Sequence, residues 1–256
     1  MIKHYKPDAD LAYWIDYIWM IKIEEVPEAQ RDDIIMPLAH MNVIFNFGDA
    51  YYFSPSDSQT YFKLPDIAVV GMIDQAYKVR YENNLYQIGV AIKPIAYQNL
   101  FSENETKTIL DGSGTFRTLY EQLKIEVDDE DRISSIWMFI RNHLTRLSNE
   151  NTDLYQMMQY IDRHIHTFSV KQMAHDMGMS LSTLERKFKR SFGISPKAYV
   201  NIKRFHLSPE DHDYFYDQSH AIKTTKRYTT KTPQELERES NELTLKYLSE
   251  HKHLRK

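Results

Sequence analysis

Phe168-Ser169-Val170-Lys171-Gln172-Met173-Ala174-His175-Asp176-Met177-Gly178-Met179-Ser180-Leu181-Ser182-Thr183-Leu184-Glu185-Arg186-Lys187-Phe188-Lys189-Arg190-Ser191-Phe192-Gly193 is the stretch whose reading decides the fold. Ser169 followed by Gln172 has the S-x-x-Q spacing of a capping box and opens a helix. Val170, Met173, Ala174 and Met177 would face inward, and Gly178 suits the left-handed residue that ends such a helix. Ser180 caps a second helix two residues later. Leu181, Leu184, Phe188 and Phe192 fall at i, i+3, i+7 and i+11, an apolar stripe closed by Gly193. Two short helices, a tight turn and small Ala174 where they approach predict a helix-turn-helix.

The other face of the second helix offers Ser182, Thr183, Glu185, Arg186, Lys187, Lys189 and Arg190. Ser182, Glu185 and Arg186 could reach base edges in a major groove, where Arg matches the guanine acceptors and Glu the cytosine amine. Lys187, Lys189 and Arg190 are placed for phosphates. A merely solvated charged face is the alternative. Capping, turn and polarity agree here, and DNA contact is the favoured reading.

Working outward, Leu154, Met157, Met158, Ile161 and Ile165 make an apolar stripe on a preceding helix. Before that lies the polar run Leu147–Thr152, read as a linker. Charge divides at the same place: residues 1–150 hold 14 Lys and Arg against 23 Asp and Glu, and residues 151–256 hold 18 against 13. A basic half behind an acidic one fits a polyanionic partner, although two domains can also differ in surface charge for no such reason.

The acidic half reads as short strands. Met41–Phe47 alternates before Gly48-Asp49, followed by Tyr51-Tyr52-Phe53 and Ile67–Met72. Tyr77–Tyr81 and Leu85–Ile92 flank Asn83-Asn84, which suits a tight hairpin turn. Thr115–Ile125 and Ile133–Leu147 have helical spacing; the stripe Ile133, Ile136, Trp137, Ile140 and Leu144 packs on its own domain or, as the minority reading, forms a dimer seam. The expected class is α+β in two domains: a β-rich, barrel-like (cupin-like) domain with helices over 1–148, and an all-α helix-turn-helix domain over 152–240 ahead of a charged tail, 241–256.

The chain has no cysteine, and its seven glycines form neither a G-x-G-x-x-G nor a G-x-x-x-x-G-K loop. Thiolate chemistry, sulfur-bound zinc and the two common phosphate-cradling loops are therefore excluded. His4, His40 and His143, the only histidines before residue 151, are widely separated, so neither a metal nor an enzymatic site is expected, and no cofactor. Trp14, Trp19, Phe45 and Tyr86 could hold an organic ligand but are read first as core. No run of 18 apolar residues and no leader pattern occurs, so a cytoplasmic protein with no membrane partner is expected.

The residues from Phe168 through Gly193, continued by Ile194-Ser195-Pro196-Lys197-Ala198-Tyr199, resemble the first helix-turn-helix of AraC/XylS-type transcription regulators. Tyr216–His220 and Thr232–Leu236 are similar to that family's second unit. Leu11–Trp19, Ile35-Met36-Pro37 and Val43–Gly48 resemble the sensor-type domain some members place first. The resemblance implies a sequence-specific, ligand- or dimerisation-controlled regulator of double-stranded DNA. It adds Gln218 and Lys223 to the DNA-contacting set, and admits a small-molecule effector, RNA polymerase and a second copy of the chain as partners. A degenerate regulator that acts by dimerisation or ligand capture is the alternative.

The chain departs from the family after Arg204. Only eleven residues, Phe205 to Phe215, precede Tyr216, and they include Pro209 with Glu210, Asp211 and Asp213. Proline opposes a continuous helix, and so short a segment cannot supply both a linker end and a supporting helix. Ala221 and Thr225 stand where the family has large apolar residues, which leaves Ile222 and Tyr228 as anchors. The second unit is expected to be poorly packed, with Lys223, Lys226, Arg227 and Lys231 still giving a basic surface. Amide hydrogen exchange should be faster over 214–230 than over 170–192; equal strong protection would contradict this.

Overall fold

The computed structural model describes residues 1–96, 109–144, 152–206 and Lys226. Ten strands come first: β1 (Ile2–Tyr5), β2 (Ile15–Ile23), β3 (Asp32–Ile35), β4 (Met41–Asn46), β5 (Tyr51–Pro55), β6 (Phe62–Lys63), β7 (Ile67–Val70), β8 (Tyr77–Tyr81), β9 (Leu85–Ile92) and β10 (Ile109–Asp111). Helices α1 (Ser113–Ile125) and α2 (Asp129–Leu144) close the first domain, and α3 (Thr152–Arg163), α4 (Val170–Asp176), α5 (Leu181–Phe192) and α6 (Pro196–Phe205) form the second. The boundary expected at 147–152 falls mostly on residues outside those described.

Two antiparallel sheets face each other, in the orders β1-β2-β9-β4-β7-β10 and β3-β8-β5-β6. Tyr17, Trp19, Ile44, Tyr51, Phe53 and Val79 fill the space between them. The opposite face of the six-stranded sheet (Ile18, Met20, Val43, Phe45, Ile88) is covered by Phe116, Leu119 and Leu123 of α1 and by Ile133, Ile136 and Ile140 of α2. The α2 stripe therefore packs on its own domain. The result is the α+β arrangement expected, a barrel-like pair of sheets with a helical layer on one side.

That layering explains an exception to the alternation in β4, where all six residues are buried. With helices on one face and the second sheet on the other, even the polar members of the pattern lie inside and must find partners. Asn42 Oδ1 accepts from Trp19 Nε1 at 2.9 Å, and Asn46 Oδ1 accepts from Gln87 Nε2 at 3.3 Å. Helix α2 is pinned by Arg132, which donates to Leu123 O at 2.8 Å, Tyr86 Oη at 3.0 Å and Asp129 Oδ1 at 2.9 Å.

The hairpin expected around Asn83-Asn84 does not form. β8 pairs with β3 and β5, whereas β9 pairs with β2 and β4. The two strands are where the sequence placed them, but the turn carries the chain from one sheet to the other. Its amides and carbonyls are tied elsewhere: Asn84 N donates to Asp49 Oδ2 at 2.9 Å and Val26 N donates to Asn83 O at 2.6 Å. A turn that satisfies its polar groups from other loops need not close a two-stranded ladder.

The second domain rests on the first through α3 and the end of α6. The Tyr13 and Tyr155 rings lie 5.0 Å apart, and His206 Nε2–H donates to Pro37 O at 2.5 Å. Between them is a cleft of about 580 Å³ bordered by Asp16 and Lys93 from one domain and Asp162 and Lys203 from the other. Lys203 is ion-paired to Asp162, and Lys93 lies 3.8 Å from Asp16.

Gly89 tests the sheet packing. It stands opposite Trp19 in the β2–β9 register, and a Cβ there would lie 2.0 Å from the indole Cε2. Gly89→Ala is expected to cost about 1–3 kcal/mol or more by displacing Trp19. Gly114→Ala on α1, with open space around it, should stabilise by about 0.4–1 kcal/mol. Urea unfolding of both variants checks the pair; a harmless Gly89→Ala would contradict the packing described.

Candidate nucleic-acid interface

The helix-turn-helix is fixed at each end by its own sequence. Ser169 Oγ accepts from Gln172 N at 3.4 Å and caps α4. The Gln172 side chain does not complete the expected reciprocal box; its Nε2 donates instead to Asp176 Oδ1 at 2.7 Å, one turn along the same helix. Gly178 adopts φ +64, and Met179 N reaches back to Ala174 O at 2.9 Å. This reversal is the turn of the motif. Ser180 Oγ then accepts from Thr183 N at 3.2 Å to cap α5, and Gly193, at φ 78, ends it with its N–H on Lys189 O at 2.8 Å. Ser195 caps α6 through Ala198 N at 3.1 Å, with Pro196 in its first turn.

Leu184, Phe188 and Phe192 are buried, packed with Met173 and Ala174 of α4 and with Tyr199 and Ile202 of α6. The Phe188 ring lies 4.6 Å from that of Phe192 and 5.8 Å from that of Tyr199. Leu181 departs from the expected stripe: it is 38% exposed, because the seam with α4 and α6 begins one turn later. An apolar side chain at the exposed tip of α5 could touch a thymine methyl, a contact the stripe reading missed.

Opposite that seam, Ser182, Glu185, Arg186, Lys189 and Arg190 are exposed. Their spacing (i, i+3, i+4, i+7, i+8) puts them on one face of the helix. The side chains of Glu185, Arg186 and Lys189 make no hydrogen bond or ion pair with another described residue. Thr183 is half-buried, its Oγ1 accepting from the Ser180 hydroxyl at 2.8 Å. Lys187 is half-buried too and ion-paired with Asp153 of α3, so it points along the motif's flank more than out from it. The predicted face is thus brought together except at Lys187 and Thr183. Gln218 and Lys223 lie outside the described residues, as does the expected second unit apart from Lys226, which is exposed.

Among the described residues no group of three or more His, Asp or Glu side chains could hold a metal ion. Of the four aromatics considered for ligand binding, Trp19 alone borders the cavity between the sheets, together with Tyr51, Asn42 and Gln87. Phe45 is core between sheet and helices, and the half-buried Tyr86 hydroxyl donates to Asp129. Burial, with that carboxylate beside it, raises the Tyr86 phenol well above its ordinary pKa. No helix of the described residues is long and apolar enough to cross a membrane.

Residues 161–201 match the family described as bacterial regulatory helix-turn-helix proteins, AraC family, and residues 3–110 match a domain of unknown function, DUF6597. Among curated proteins, none matches the sequence. In structure the chain is similar to ToxT from Vibrio cholerae O395, with 9% identity and a TM-score of 0.50 over 87% of this chain and 97% of that one. The P21 crystal form of V. cholerae ToxT gives 10% identity and 0.50 over 88% and 98%. Wild-type ToxT from strain SCE256 with unsaturated fatty acid bound gives 9% and 0.50 over 84% and 92%. At such identities the likeness is one of fold. The match over the motif itself gives the chain an AraC-family helix-turn-helix behind a DUF6597 domain.

Proposed function

We propose that this protein is a cytoplasmic, sequence-specific DNA-binding transcription regulator that presents α5 to the major groove. One observation carries the reading. A helix capped at both ends buries Leu184, Phe188 and Phe192 and turns Ser182, Glu185, Arg186, Lys189 and Arg190 to solvent, and none of these five borders the cleft between the domains. A face clear of the interdomain contact can enter a groove about 12 Å wide without the domains parting.

Ser182, Glu185 and Arg186, near the helix N-terminus, are assigned to base edges; Lys189 and Arg190, a turn or more on, to phosphates. Thr183 supports the N-terminal turn. Lys187 reaches phosphate only by leaving Asp153, so its contribution is the smallest among the cations. Gln218 and Lys223 are DNA contacts by the family resemblance alone. Two copies of the chain would supply two reading helices, and palindromic half-sites about one helical turn apart are the matching target. The bound fatty acid of the V. cholerae ToxT structure supports a small-molecule effector here as well.

Fluorescence anisotropy on duplexes selected from a random pool tests the assignment. Arg186→Ala should lose about 1–3 kcal/mol of discrimination at one base pair. Lys189→Ala should weaken all sequences alike and lower the slope of log affinity against log salt by about 1, with a smaller change for Lys187→Ala. Identical losses for Arg186→Ala and Lys189→Ala on every sequence would refute the division of roles.

A further inference from the structure

We propose that Met177 and Met179, on either side of the turn glycine, form an oxidation site at which a hydroperoxide converts the thioethers to sulfoxides and loosens the helix-turn-helix. The chain has eleven methionines and no cysteine, and five of the methionines fall from Met157 through Met179. With no thiol present, thioether sulfur is the group a hydroperoxide meets. Met157 and Met173 are 0% exposed, whereas Met177 and Met179 are half-buried at the edge of the same apolar cluster.

The backbone of the turn runs through this pair. Met177 N–H donates to Met173 O at 3.0 Å, Gly178 N–H to His175 O at 3.0 Å, and Met179 N–H to Ala174 O at 2.9 Å. Ser180, next in the chain, caps α5. Gly178 is exposed at φ +64. Apart from its chain neighbours, no heavy atom among the described residues lies within 4 Å of a Cβ built there. The two methionines therefore border an open surface from which a small oxidant reaches them. Met158, also half-buried, borders the cleft between the domains instead.

The chemistry needs only the oxidant. A sulfur lone pair attacks one peroxide oxygen, an S–O bond forms and the O–O bond breaks. Sulfur gives up two electrons, and the proton of the transferred oxygen passes to the leaving oxygen, which departs as water or an alcohol. A flexible apolar side chain becomes a polar one with an acceptor oxygen. Kept in the seam, that oxygen gives up its hydration against apolar neighbours; turned outward, it draws the side chain from the seam and leaves a void. Either outcome weakens the turn that sets α4 against α5. Met138 of α2, 60% exposed, takes the same oxygen with little packing to lose.

Full-length protein treated with hydrogen peroxide is followed by peptide mass, by amide hydrogen exchange and by fluorescence anisotropy on a selected duplex. Met138, Met177 and Met179 should gain one oxygen before Met157 and Met173. Exchange over 170–192 should quicken, and DNA affinity should fall about tenfold or more. Methionine sulfoxide reductases of both epimer specificities, with dithiothreitol, should restore both. Met177→Leu combined with Met179→Leu nearly keeps side-chain volume, so this double variant should hold DNA as before and keep its affinity after peroxide. Met138→Leu should remain sensitive. The loss of DNA affinity rests on the gene-control reading, whereas mass and exchange need no DNA. Failure of that reading shows separately, as untreated protein that holds no duplex. The proposal is overturned if Met177 and Met179 stay unmodified while Met138 is oxidised, or if their oxidation leaves exchange over 170–192 unchanged. It is overturned equally if the double variant loses affinity after peroxide as the native chain does.

Discussion

The seam of Leu184, Phe188 and Phe192 against α4 and α6 is the constraint on which the second domain depends. A twelve-residue helix has little stability in isolation, and tertiary burial of one stripe provides most of it. Burying that stripe also fixes the rotation of the helix about its axis. Ser182, Glu185, Arg186, Lys189 and Arg190 are outward because the phenylalanines are inward. Substitutions in the seam would move that exposed face without touching a single polar residue.

A second consequence follows from where the domains meet. The first domain covers its six-stranded sheet on both faces, and its contacts with the second include Tyr13 on Tyr155, Pro37 on His206, and the charged rim of the cleft. None of these involves α5. Pro37 also adjoins Met36 and Leu38, which border the cavity between the sheets. His206, at the end of α6, therefore touches the wall of that cavity.

How much of this was legible depended on the range of the interaction. Caps, turns and helical period act within a few residues, so Ser169, Gly178, Ser180 and Gly193 announced the motif directly, and the strands of the acidic half were found near their places. Pairing was not legible. Asn83-Asn84 has the composition of a hairpin turn, yet its partners are Asp49 and Val26, and the chain crosses between sheets. Leu181 kept the helical period but lay beyond the seam, and Lys187 was drawn to Asp153, 34 residues earlier. Trp19 over Gly89 and the His206–Pro37 bond join positions far apart in the chain, and no local pattern marks them.

The chain contains no cysteine, so one introduced at Ser182 is unique and can carry an iron chelate that cleaves DNA locally. Mapping the cuts on a selected duplex tests the presentation of α5 most directly. The account predicts scission confined to a few base pairs of one major-groove segment per bound chain, and none above background from a chelate at Val127→Cys, on the exposed α1–α2 connection. Diffuse cleavage from Ser182→Cys, indistinguishable from that of the Val127 control, would contradict it.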